Sequence, residues 1–200
     1  MSEDYSYWEQ RKKDDTRLDW RNNGGDWISE YWESRKHPHR TMVLDALEKF
    51  RPFKNILEIG CSCGPNLANI KDRFPRVKVA GIDANPDVIK RAKDYIPDGD
   101  FVAGTFFHLP WEDNSFDIVL ADAVLMYADK DDIYPALLEM NRIARRGVVL
   151  VEWYSESMPA TLTRGNLSLM LARFGPQEHP ISRIFLNGLN FSSASRTIVR

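Results

Sequence analysis

Apolar positions along this chain follow two regimes that meet near residue 55. Beyond that point, short apolar runs alternate with stretches whose apolar residues recur every three or four positions. That is the signature of buried strands alternating with amphipathic helices. The runs are residues 55–59 (NILEI), 77–82 (VKVAGI), 100–104, 116–121 (FDIVLA) and 147–153 (GVVLVEW). The periodic stretches are 65–74, a second opened by Asn85-Pro86-Asp87 that runs to Tyr95, and 131–144. In the last, Ile133, Leu137, Leu138, Met140 and Ile143 share one face. Pro65 stands in a first helical turn, where a missing N–H costs little. Asn85 is a capping side chain, and Asp87 is an acid at the positive end of a helix. The alternation predicts an α/β fold: a Rossmann-like, doubly wound, mostly parallel sheet with helices on both faces and right-handed crossovers. Ligands bind such sheets outside the carboxyl ends of the strands.

The first fifty residues read as helical and aromatic. Trp8, Trp20, Trp27, Tyr31 and Trp32 precede an apolar pattern through Met42, Val43, Leu44, Ala46, Leu47 and Phe50. Gly24-Gly25 separates two helices, and Pro52 ends the last. The aromatic set either packs on a core or forms a lid over a substrate pocket. The expected organisation is an N-terminal helical cap over 1–50, a Rossmann-like cofactor-binding core over 51–155, and a C-terminal segment over 156–200. That last segment completes the domain or the acceptor site. Within it, 167–174 fits a helix, and 181–189 and 195–199 fit weak strands. No convincing pair of closing antiparallel strands is visible.

Composition narrows the function classes. A chain of 200 residues, 43% apolar, suits one globular domain. A net charge of −2 gives no electrostatic footprint for nucleic acid. No run approaches the roughly 20 apolar residues of a membrane span, and the polar N-terminus is no secretory signal. Cys61 and Cys63 lie too close in sequence for an unstrained disulfide and lack partners for a zinc site. They read as small apolar residues of a tight loop in a reducing cytoplasm, and no metal is expected.

Four strand-end loops converge on one crevice. The first, Glu58 to Asn66, brackets a sharp strand-to-helix turn with Gly60 and Gly64. Exposed N–H groups at the helix start favour a ligand oxygen. A nicotinamide or flavin site would want G-x-G-x-x-G. Here Ser62 holds the middle glycine position, and no Walker-type Gly-Lys-Ser/Thr follows. The second loop holds Asp83, some twenty residues on, where an acid can accept both ribose hydroxyls or merely help to cap the next helix.

ILEIGCSCGPNL, VAGIDANPDVIKRA and FVAGTFFHLPWEDNSFDIVLADAVLMY together resemble class I S-adenosylmethionine-dependent methyltransferases of the small-molecule type 11 kind. The resemblance covers residues 55 to 153. A further stretch, VEWYSESMPATLTRGN, is similar to methylases associated with sialic-acid-like sugar biosynthesis. The resemblance implies S-adenosylmethionine as cofactor, with S-adenosylhomocysteine as product. It puts Glu58, Gly60 and Gly64 at the methionine end, Cys61 among the cofactor-binding residues, Asp83 on the ribose, and Ala84 and Asn85 beside the adenosine. The position after Gly104 often holds an Asp that contacts the adenine amino group. Here it is Thr105, left to accept a hydrogen bond, followed by Phe106, left to pack on the ring. Asp122 to Tyr127 lie under the sulfonium, with Met126-Tyr127 where relatives often carry Glu-His.

The same resemblance implies transfer to a small polar molecule, a sugar hydroxyl being one such acceptor. The rival is a methyltransferase-like module that holds the cofactor without catalysis. Asp122, Tyr127 and Glu152 are the candidate catalytic groups, followed by Tyr154 and His108. Each has a structural alternative: Asp122 as a cap, Tyr127 as pocket wall, Glu152 and Tyr154 as acceptor lining, His108 as a loop residue. His37, His39 and Arg40 are candidates for the cofactor carboxylate, and Arg164 for an anionic acceptor. The expected protein is a monomer or homodimer that engages neither membrane nor nucleic acid.

Overall fold

A computed structural model describes residues 3–12, 26–153, 169–174, 184–185 and 198–199. Six strands form one sheet: β1 (Asn55–Ile59), β2 (Lys78–Asp83), β3 (Asp100–Ala103), β4 (Phe116–Asp122), β5 (Ala144–Trp153) and β6 (Leu169–Phe174). Their order is β3-β2-β1-β4-β5-β6, and every pairing is parallel. The chain steps outward from β1 to β2 and β3, then returns to place β4 on the other side of β1. The crevice of such a sheet opens where the order reverses.

Side chains along each strand alternate between two cores, as the pleat requires. On one face, Ile56, Ile118, Leu120, Val149 and Val151 pack in one cluster. With them are residues of α2 (Trp27–Glu33), α3 (His39–Glu48), α4 (Pro65–Arg73) and α5 (Pro86–Tyr95). On the other face, Leu57, Ile59, Val119, Ala121, Val148 and Leu150 meet Ala136, Leu137, Met140 and Ile143 of α6 (Lys130–Ile143). Burial on both faces explains why the strands read as continuous apolar runs. Ile28 and Leu47, at 2% and 0% exposed, belong to the first cluster. The N-terminal helices therefore share a core with the sheet. Each such side chain contributes about 1.5–3 kcal/mol by leaving water.

The expectation of a helix over 167–174 is corrected. That stretch contains β6, in register with β5 from Val148↔Leu169 to Trp153↔Phe174. A bare outer edge of β5 would leave a row of N–H and C=O groups unpaired, and β6 satisfies them. Two further strands, Ile184–Phe185 and Ile198–Val199, pair antiparallel as a separate small ladder. Among the described residues, no helix is long and apolar enough to cross a membrane, and no cluster of His, Cys, Asp and Glu could hold a metal.

Candidate active site

The loop leaving β1 reverses the chain within five residues. Gly60 (φ 66), Ser62 (φ 48) and Gly64 (φ 88) all take left-handed conformations, and Pro65 then starts α4. Gly60 has a second constraint: a Cβ there would lie 2.3 Å from Cγ2 of Val124, in the loop after β4. The missing side chain is what lets these two loops touch. Gly60→Ala is expected to cost about 2 kcal/mol or more, combining a disfavoured φ with overpacking. Chemical denaturation checks this, and an unchanged midpoint would mean that Val124 simply yields. Cys61, expected at the cofactor, instead turns its side chain inward. It is 2% exposed, and a Cβ on Gly81 would lie 2.6 Å from its Sγ. Burial pushes the Cys63 thiol up to about 12 and the Cys61 thiol well above its usual value, which disfavours the thiolate of both.

Asp83, the last residue of β2, joins the first two loops. Its Oδ2 accepts from the Ser62 N–H at 2.9 Å, and its Oδ1 accepts from the Asn85 N–H at 2.9 Å. Burial raises the carboxyl, opposed by these two bonds. The capping side chain of α5 is Asn85, which accepts from Asp87 N–H at 2.9 Å and Val88 N–H at 3.4 Å. A cleft of about 490 Å³ opens beside Asp83, lined by Ala84, Pro86, Gly104, Thr105, Glu9 and Gln10. Thr105 reaches that cleft. Phe106, expected on the adenine ring, instead buries its own ring in the core, 3% exposed and 4.5 Å from that of Phe107.

Below the strand ends lies a buried polar cluster. Asn66 Nδ2 donates to Glu58 Oε1 at 2.6 Å and to Asp122 Oδ2 at 2.9 Å. From α3, Arg40 Nη1 donates to the same Asp122 oxygen at 3.4 Å, and His39 Nε2 lies 3.1 Å from it. Ser34 fixes Arg40 through its carbonyl (3.1 Å) and hydroxyl (2.7 Å). Burial alone would raise the Asp122 carboxyl, but His39, Arg40 and Asn66 together hold it below the usual range. Glu58 goes the other way: burial pushes it up to about 8 against the Asn66 bond and the Arg40 charge. Glu58 Oε2 and Asn66 Oδ1 are buried and without a hydrogen-bond partner among the described residues.

This sets a pH dependence. The folded chain keeps a proton on Glu58 that the unfolded chain releases above its ordinary value of 4.5. Unfolding therefore releases protons, and stability falls as pH rises from 4.5 to about 8. Asp83, also raised, acts in the same direction. Glu58→Gln should flatten this slope, as seen in denaturation midpoints at about pH 5 and about pH 8. Equal slopes in both proteins would contradict the placement of Glu58.

The first helix, α1 (Glu3–Gln10), is fastened across the strand ends. Asn85 Nδ2 donates to the Trp8 carbonyl at 3.0 Å and to the Arg11 carbonyl at 2.8 Å. Arg11 lies over the rings of Trp27 (4.1 Å) and Trp8 (5.2 Å). Trp8 meets Tyr127 edge-on at 5.4 Å. The aromatic set thus divides, because Trp27 and Trp32 pack on the core while Trp8 reaches the loop after β4.

Of the candidate bases, Asp122 and Tyr127 lie at this end of the sheet, and His108 is exposed in its loop. Glu152 follows Val151, which pairs with Asp122, and itself pairs with Arg173. Tyr154, Arg164 and Trp20 lie outside the described residues. His39 and Arg40 both reach Asp122 Oδ2, and His37 places its ring Nδ1 2.9 Å from Nδ1 of His39. Sequence reasoning gave no role to Asn66, although its place eight positions after Glu58 was a signal. It also missed Glu9 and Gln10, for which no signal existed.

Residues 57–151 match a family model described as a methyltransferase domain. Trans-aconitate 2-methyltransferase of Escherichia coli is 28% identical over 102 residues, covering 50% of this chain and 39% of that enzyme. The chain thus spans less than half the length of the curated relatives it matches. Two solved structures share the fold. An amino pentose methyltransferase of Micromonospora echinaspora, involved in calicheamicin biosynthesis, gives a TM-score of 0.56 at 22% identity, covering 65% of this chain and 57% of that one. A sugar N-methyltransferase of a Streptoalloteichus species gives 0.55 at 22% identity, covering 68% and 56%.

Proposed function

We propose that this chain, whose residues 57–151 match a methyltransferase domain, is a class I methyltransferase that binds S-adenosylmethionine at its strand ends and passes the methyl group to a small polar acceptor. The observation that carries this reading is the Asp83 carboxylate, held by Ser62 and Asn85 N–H groups beside the cleft. Each of its oxygens accepts one N–H and keeps an acceptor site, which matches a pair of neighbouring ribose hydroxyls. The polar cluster suits the other end of the cofactor. Glu58 Oε2 and Asn66 Oδ1 offer acceptors to an ammonium, while Arg40, whose nitrogens bond Ser34 and Asp122, brings a positive charge towards a carboxylate.

The bound cofactor supplies an electrophilic methyl group on a sulfonium, so the hard chemistry is not the protein's. The protein's share is alignment, which can supply several kcal/mol, on the order of 7–11 in the best cases. Asp122, with three donors around one oxygen, suits orientation better than proton uptake. Tyr127 and Glu152 are assigned to the acceptor side, where a general base contributes roughly 100- to 10,000-fold. The amino pentose methyltransferase and the sugar N-methyltransferase of like fold are compatible with a sugar-like acceptor, and a sugar hydroxyl is the acceptor group we assign. A cytoplasmic setting fits the two buried free thiols.

Incubation with isotope-labelled S-adenosylmethionine and a cell extract tests the reading. Label is expected in the small-molecule fraction. Cofactor binding without any transfer would favour the non-catalytic module, and label in protein or nucleic acid would overturn the acceptor class.

A further inference from the structure

We infer that Glu9 of the first helix reads the adenine amino group of the cofactor, the task that the residue at position 105 does not perform with a carboxylate here. The inference rests on the cofactor assignment above and deepens it. Three observations carry it.

The first is chemical. The β3 loop wall of the cleft presents Thr105, whose hydroxyl oxygen already accepts from the Phe107 N–H at 3.3 Å. A singly occupied hydroxyl is a weak reader of an exocyclic amine, since it is both donor and acceptor and tolerates either partner. The second is placement. Glu9 and Gln10 line the same cleft as Thr105, Gly104 and Ala84. Among those five residues Glu9 alone is an acid, and a carboxylate accepts without donating. The third is anchoring. The two bonds from Asn85 fall on the carbonyls of Trp8 and Arg11, the residues that bracket Glu9 and Gln10. Asn85 also caps α5 and follows Asp83, so one side chain fixes the first helix relative to the nucleoside end of the cleft. The Arg11 guanidinium among Trp27 and Trp8, and the Trp27 Nε1 bond to the Lys12 carbonyl at 2.7 Å, hold the following turn. Glu9 is therefore a specificity residue delivered by a segment outside the family's motif region.

The test compares binding of S-adenosylhomocysteine with that of its inosine analogue, in which a carbonyl replaces the adenine amino group. A carboxylate accepts from the amine and repels the carbonyl. A carboxamide can serve both. Wild-type protein should prefer the adenine compound by about tenfold or more, the range for losing a hydrogen bond to a charged group. Glu9→Gln should shrink that preference towards unity, with the melting temperature of the free protein unchanged. In a Glu9→Ala background, Thr105→Asp should restore the preference from the opposite wall. A Glu9→Gln preference equal to wild type would overturn the inference while leaving the cofactor assignment standing, as would a wild-type protein that binds both compounds equally. Binding of neither compound by wild type would overturn the cofactor assignment and this inference together.

Discussion

Asp83→Ala should abolish cofactor binding at accessible concentrations, a loss of about a hundredfold or more in affinity. The estimate follows from two charge-assisted hydrogen bonds to the ribose, each contributing about 1.5–3 kcal/mol. The same substitution removes the acceptors for the Ser62 and Asn85 N–H groups, so the loops after β1 and β2 lose their bridge. A moderate stability loss of about 1–3 kcal/mol should accompany it. The two effects separate by experiment: calorimetric titration reads affinity, and denaturation reads stability. A folded Asp83→Ala protein that binds as wild type does would remove Asp83 from the cofactor site.

Arg40→Met should be the most destabilising single change in the polar cluster. Arg40 is 3% exposed, and the Asp122 side chain beside it is 6% exposed. Removing one partner leaves a buried carboxylate with less compensation, a situation that costs about 3–5 kcal/mol. Methionine keeps most of the volume, so the loss reports charge rather than a cavity. Arg40→Met with Asp122→Asn should recover part of the loss, because the pair is in contact and its effects are not additive. Strict additivity in this cycle would show that the two groups do not stabilise one another. Cofactor affinity should also fall in the single variant, since the assigned carboxylate site loses its guanidinium.

The strands of this fold could be read directly because each is buried on both faces. NILEI, FDIVLA and GVVLVEW carry apolar residues at nearly every position, and the alternation between the two cores appears only in three dimensions. LMLARF at 169–174 was ambiguous for the opposite reason: a short apolar run fits helix or strand, and the open edge of β5 decided it. Asp83 was legible from its distance to Gly60, because a strand and a helix of standard length separate the two turns. Arg40 was legible as a candidate for the cofactor carboxylate, but its contact with Asp122 was not. A basic residue in a helix reads as solvated surface, and only the packing of α3 against the start of α4 brings it to Asp122. Phe106 shows the limit of carrying roles by position. Its place in the motif implied a stacking partner, whereas the turn after β3 rotates the ring into the core.

Titration of the full chain with S-adenosylhomocysteine in a calorimeter tests the central claim most directly. The account predicts single-site heat that vanishes in Asp83→Ala, together with a rise in melting temperature that grows with ligand concentration. No heat and no thermal shift in the wild-type protein, under conditions where it is folded, would contradict it.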